Sequence, residues 1–194
     1  ADVDSIKFVF EKLNKETKET VIKKYTAVFQ QRVMQQQPIF DLLYPLAPTN
    51  IRTNWMVDLI KTKTQRALAK LEELGYKVDD KKAIVKALLD TAESVEVGQK
   101  KSLYEAINKM KCANDADMRS ILAAQIKSLL KNTDTNQQQV GYSALQGAIS
   151  YISATVKREI ARETVEWLRL LEPANAGQSY SAKSVILNWD SLAL

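Results

Sequence analysis

The chain has no histidine and a single cysteine, Cys112, in 194 residues. An intrachain disulfide is therefore impossible, and the Cys/His ligand sets of zinc sites cannot be assembled. A nucleophile activated by imidazole is ruled out as well, because its base is missing. Glycine (5) and proline (4) are both scarce. An all-β chain needs a turn every ~8–12 residues, and long disordered linkers need more of both residues, so neither fits. No run of about 18 apolar residues occurs, so no transmembrane span is expected. A P-loop, G-x-G-x-x-G, G-x-S-x-G and EF-hand spacing are all missing. The acidic "NDAD" at 114–117 lacks the glycine and trailing glutamate of a calcium loop. These absences predict a non-enzymatic protein with no catalytic residue, no metal site and no cofactor.

What is present is ordinary globular material. The chain is 45% apolar and 26% charged, and its length suits one soluble domain with a sizeable core. The net charge of +5 is concentrated in residues 51–111, which hold 13 basic and 9 acidic groups. Most of that excess is lysine, whereas a nucleic-acid surface usually shows a stronger excess with arginine prominent.

The apolar spacing is helical almost throughout. Helices are predicted over 4–14, 17–37, 50–74, 79–97, 99–111, 114–132 and 136–171. In the first, Ile6, Val9, Phe10 and Leu13 are expected to face inward. Gly75 follows the third where a left-handed residue is favoured, and Gly98 marks a break or a kink. Tyr142, Leu145, Ile149, Ile152, Val156, Ile160 and Trp167 would keep one face of a long last helix. No internal repeat of fixed period is found. The expected fold is an all-α, single-domain bundle of five to seven helices with one long helix in the C-terminal half. Residues 1–173 form the bundle, and 174–194 a linker plus an apolar arm.

Several residues stand out against this background. Cys112 lies in "KMKCAND", where Lys109, Lys111 and a following helix N-terminus would lower a thiol pKa, but it has no base and reads as an ordinary boundary thiol. Glu163 interrupts the apolar line of the last helix. Buried, it would have a raised pKa suited to acid–base work; at the edge of the stripe it would only snorkel. Arg162 and Glu166 have surface ion-pair spacing. Arg52, Lys63, Arg66 and Lys70 fall on one side of the third helix, a stripe that could follow a phosphate backbone but has no interleaved aromatics. The small residues Gly141, Ala144, Gly147 and Ala148 permit close helix approach, within the bundle or between copies.

Two apolar segments carry the functional reading. "QPIFDLLYPLAP" sets Phe40, Leu43 and Tyr44 among three prolines, either as a buried connector or as a partner surface. "SVILNWDSLAL" places Ile186, Trp189 and Leu192 on an arm behind the flexible "NAGQS". The chain is therefore expected to be a structural or protein–protein interaction subunit. It would associate with itself or with another protein through residues 38–48 and 183–194. Two alternatives are a nucleic-acid-binding helical protein using the stripe at 52–70, and a carrier of an apolar ligand or pigment within the bundle.

Overall fold

The computed structural model describes residues 3–32, 37–111 and 115–170. Cys112 and the 174–194 arm, with Ile186, Trp189 and Leu192, lie outside them. The described residues form ten α-helices and one 3₁₀ turn, with no strand. The helices are α1 (Val3–Lys12), α2 (Lys15–Arg32), α3 (Gln37–Leu43), α4 (Thr49–Thr62), α5 (Thr64–Glu73), α6 (Lys81–Ser94), α7 (Val97–Lys109), α8 (Ala116–Leu130), α9 (Thr135–Ala148) and α10 (Ala154–Leu170). The 3₁₀ turn, Tyr44–Leu46, follows α3 directly. All-α character agrees with the sequence pattern, but the number of helices exceeds the expected five to seven.

The extra helices come from local chemistry that interrupts an otherwise helical pattern. The predicted helix over 50–74 breaks at Lys63, whose backbone leaves the helical region at φ −144° and ψ 59°. Threonines flank it. The Thr62 hydroxyl donates to the Asp58 carbonyl (2.7 Å) and the Thr64 hydroxyl to the Ile60 carbonyl (2.9 Å). Such side-chain bonds compete with the backbone ladder and weaken helix continuity. The predicted long helix over 136–171 breaks at residues 149–153. Isoleucine, serine and tyrosine there are weak helix formers. The amides of Tyr151 and Ile152 both close back on the Ala148 carbonyl, at 3.0 and 3.1 Å. Ser153 then restarts the chain, its Oγ accepting from the Val156 amide at 3.3 Å. The break expected near Gly98 falls just before it, where Glu96 (ψ 154°) is extended and Gly98 sits in the first turn of α7.

Other helix ends are fixed by local caps. Asp80 caps α6 by accepting from the Ala83 amide (3.0 Å), and Asp115 caps α8 by accepting from the Met118 amide (3.1 Å). Gly75 has φ +57° after α5, and Tyr76 continues in the left-handed region at φ 59°. The Tyr76 amide reaches back to the Leu71 carbonyl at 2.8 Å, a terminal bond that satisfies an otherwise orphaned acceptor.

From α4 onward the helices pair and stack. α4 packs on α5, α6 on α7 and α8 on α9. The first members α4, α6, α8 and α10 lie side by side in one row, and α5, α7 and α9 in a second. The first-row helices begin at residues 49, 81, 116 and 154, so the spacing grows through 32, 35 and 38. A stack with lengthening connections has no fixed sequence period, and none is seen. α6 is the centre: Ile84, Val85, Ala87, Leu88, Leu89 and Ala92 are all buried because α4, α7 and α8 pack around it. At the first end, α2 packs on α4 and α1 on α3. Val9, expected to face inward, is 58% exposed, and Phe10 takes the inward position.

The small residues of α9 serve packing inside the molecule. A Cβ at Gly141 would stand 2.8 Å from Leu129 Cβ and 3.0 Å from the Leu130 amide nitrogen on α8. At Gly147 it would overlap the side-chain amide of Asn108 on α7. Gly141→Ala should therefore lower stability by about 1–3 kcal/mol, because backbone must move. Gly98→Ala, with open space around the new methyl, should be neutral or raise stability by up to ~1 kcal/mol. Urea unfolding midpoints of the two variants test this; shifts in the same direction would contradict the packing account.

Candidate interaction surface

The segment 37–48 folds because each proline sits where a missing N–H costs little. Pro38 is in the first turn of α3, Pro45 in the first turn of the 3₁₀ turn, and Pro48 immediately before α4. Phe40, Leu43 and Tyr44 are thereby turned into the chain's own core, at 1%, 2% and 6% exposure. Their neighbour is Trp55 of α4. Phe40 lies 5.2 Å from Tyr44 and 6.0 Å from Trp55 between ring centroids, and Tyr25 of α2 meets Trp55 edge-on at 5.2 Å and 81°. Trp55 Nε1–H donates to Thr26 Oγ1 (3.1 Å), whose own hydroxyl donates to the Ile22 carbonyl (2.8 Å). Burial pushes the Tyr25 hydroxyl up to about 12, with Arg66 opposing and Asp41 adding to the rise. It also raises Tyr44.

Partner contact through Phe40, Leu43 and Tyr44 would therefore need this cluster to open, and the accessible part of the segment lies elsewhere. Pro38, Leu42, Pro45 and Leu46 form one wall of a cleft of about 380 Å³, with Phe10 of α1 opposite and Lys7, Glu11 and Asp41 at its rim. Leu46 is 51% exposed, and Phe8 and Val9, on faces of α1 that do not line the cleft, are 63% and 58% exposed. Leu46 lies in the expected contact segment 38–48, whereas Phe8 and the exposure of Val9 were not singled out in the sequence. An apolar residue at a helix-compatible position reads as core until its partner helix is known.

The basic stripe does not survive as one face. The break at Lys63 places Arg52 on α4 and Arg66 and Lys70 on α5. Arg52 holds Asp79 in a forked pair, Nε to Oδ2 at 2.8 Å and Nη2 to Oδ1 at 2.9 Å, and Nη1 reaches the Pro45 carbonyl at 3.3 Å. Arg66 lies over the Phe40 ring, 5.3 Å from its centroid. Lys70 is 8% exposed and pairs with Glu73 (2.8 Å) and Asp41 (3.0 Å). Burial works against its charge, yet the hydrogen bonds to Glu73 and Asp41 raise its pKa. Lys63 remains exposed at the break.

Glu163 is also engaged. Its carboxylate accepts from Lys131 (2.8 Å) and Lys127 (2.9 Å), and Lys127 also reaches Glu159 (2.7 Å), which ties α8 to α10. The bonds to Lys131 and Lys127 lower the Glu163 pKa, opposite to the rise that acid–base work would need. Arg162 and Glu166 form the expected exposed pair at 4.0 Å. A second, wider cleft of about 500 Å³ lies between α6, α7 and α8. At its floor the Tyr104 hydroxyl donates to Gln125 Oε1 (2.8 Å), and Gln125 Nε2 donates to Glu93 (2.9 Å) and the Leu89 carbonyl (3.2 Å). Burial holds the Tyr104 hydroxyl protonated well above its ordinary range. These polar atoms satisfy one another and join three helices.

Among the described residues, no group of three or more His, Cys, Asp or Glu could hold a metal ion. No described helix is long and apolar enough to cross a membrane. Compared with protein-family models, with curated proteins and with solved structures, the chain gave no match.

Two measurements probe this geometry. Phe40→Ala should cost about 3–5 kcal/mol and lower the melting temperature by on the order of 10 °C. Leu46→Ala should stay within about 0.5 kcal/mol. Equal melting of Phe40→Ala and wild type would contradict the core assignment. Glu163, whose folded pKa is lowered from 4.5, stabilises above that value and loses its contribution as pH falls through the lowered one. Glu163→Gln should be less stable by about 1 kcal/mol or less at pH 7. Urea midpoints of the two proteins should converge in acid below the carboxylate range; a constant gap would contradict the pairing.

Proposed function

We propose that this chain is a non-enzymatic structural subunit that associates with itself through the apolar surface at the α1–α3 end of its helical stack. The observation that carries the reading is the apolar cleft at that end, walled by Phe10, Pro38, Leu42, Pro45 and Leu46, with Leu46 half accessible at its edge. Scattered single apolar residues on a surface need no explanation, but a continuous apolar cleft with an exposed leucine at its edge marks an interaction site. Stacked helix pairs add to this, because the terminal unit of such a stack needs a polar outer face to remain alone in water. The engagement of Arg52, Arg66 and Lys70 in internal pairs leaves the nucleic-acid alternative with little free charge on that stripe.

Sedimentation equilibrium over a range of concentrations tests the reading. Wild type should rise above the monomer mass of 21.9 kDa as concentration increases. Leu46→Glu should hold at that mass, with its melting temperature within a few degrees of wild type. A wild-type protein that remains monomeric at every concentration would overturn the proposal.

A further inference from the structure

We infer that the cleft between α1 and α3 is the receptor for residues 183–194 of a second copy, so that copies join head to tail. The inference rests on the self-association reading and names its contact. Three observations lead to it: the positions of the two surfaces, the length of chain between them, and the chemistry of the segment.

The cleft belongs to the end of the stack where α1 to α3 pack beside α4. Residues 171–194 follow α10, which packs on α8 at the other end of the first row. Neighbouring helix axes lie about 8–10 Å apart, so the three steps from α4 to α10 span roughly 25–30 Å, and the cleft lies beyond α4. Twelve residues, 171–182, separate α10 from the segment. Fully extended they span at most about 40 Å, which leaves little reach to spare once the step beyond α4 is added. Reaching the cleft of the same molecule would require the linker to be held near full extension. Reaching the cleft of a neighbour placed end-on carries no such demand.

The segment "KSVILNWDSLAL" has six large apolar residues, Val185, Ile186, Leu187, Trp189, Leu192 and Leu194, and two charges. Val185, Trp189 and Leu192 are spaced i, i+4 and i+7, the anchor spacing by which an apolar groove reads an amphipathic helical peptide. The cleft supplies Phe10, Leu42, Pro45 and Leu46 as apolar walls, with Lys7 and Glu11 at the rim. An end that donates and a different end that receives make a heterologous contact. Repetition of that contact gives a ring or an open filament, not an isolated two-fold dimer.

Full-length point variants test this by complementation. Leu46→Glu damages the cleft and leaves the segment whole; Trp189→Glu does the reverse. Each variant alone should lose the concentration-dependent rise in mass shown by wild type and remain at 21.9 kDa. Their equimolar mixture should form a species of twice that mass and nothing larger, because only one intact contact exists per pair. Circular dichroism melts control for folding, and Leu46 is exposed enough that its replacement should leave the melt unchanged. If wild type associates but the mixture does not, or if Trp189→Glu associates like wild type, the head-to-tail contact is wrong while self-association stands. If wild type is monomeric throughout, both fail.

Discussion

The attachment of the first three helices to the rest of the chain turns on one side chain, the indole of Trp55. It is 1% exposed and meets Tyr25 of α2 on its edge and Phe40 of α3 at its side. Its only polar atom is directed to Thr26. Contacts of this kind are worth about 0.5–1.5 kcal/mol per aromatic pair beyond area burial, and a buried indole N–H without a partner would cost more than that. α2 and α3 are therefore both held to α4 through one ring system. Asp41–Lys70 and the Arg52 contact with the Pro45 carbonyl fix the orientation of the same segment from outside. The cleft exists because this arrangement sets α3 and its 3₁₀ turn at a fixed distance from α1.

Much of the architecture was legible in the sequence. Spacing of apolar residues gave the helical class and put helix starts at 79 and 114, each within two residues of those of α6 and α8, and Gly75 gave a helix end. What spacing misjudged were the interruptions. Lys63 between Thr62 and Thr64 carries no proline or glycine, and the apolar line of α4 resumes in α5 almost in phase, so a continuous helix fits the pattern equally well. The same holds at Ile149–Ser153, where Ile152 is buried on the expected face although the backbone there is not helical. Hydroxyl competition for backbone carbonyls is a local effect of a kcal/mol or so, and it decides the outcome only when tertiary packing rewards the turn.

The residues singled out for function fared differently because pattern reports side-chain type and not company. Phe40, Leu43 and Tyr44 were correctly suspected of being either covered or waiting, and burial against Trp55 distinguishes the two. Arg52 and Lys70 looked like a solvent-facing stripe because their acidic partners, Asp79 and Asp41, are 27 and 29 residues away in sequence. Glu163 looked isolated on its own helix because Lys127 and Lys131 belong to α8. In each case the missing information was a contact between segments far apart in the chain.

The contact between Asn108, Ala144 and Tyr151 has a further consequence. Asn108 of α7 donates to the Ala144 carbonyl of α9 at 3.2 Å and accepts from the hydroxyl of Tyr151 in the following turn. Gly147 clears the space this amide occupies. One side chain thus grips both the end of one helix and the bend that leads into the next. The heading of α10 is referred back to a helix laid down some forty residues earlier. The entry into α10 is thus held from α7, while Lys127 and Lys131 of α8 hold its length, so one helix is positioned by two different neighbours.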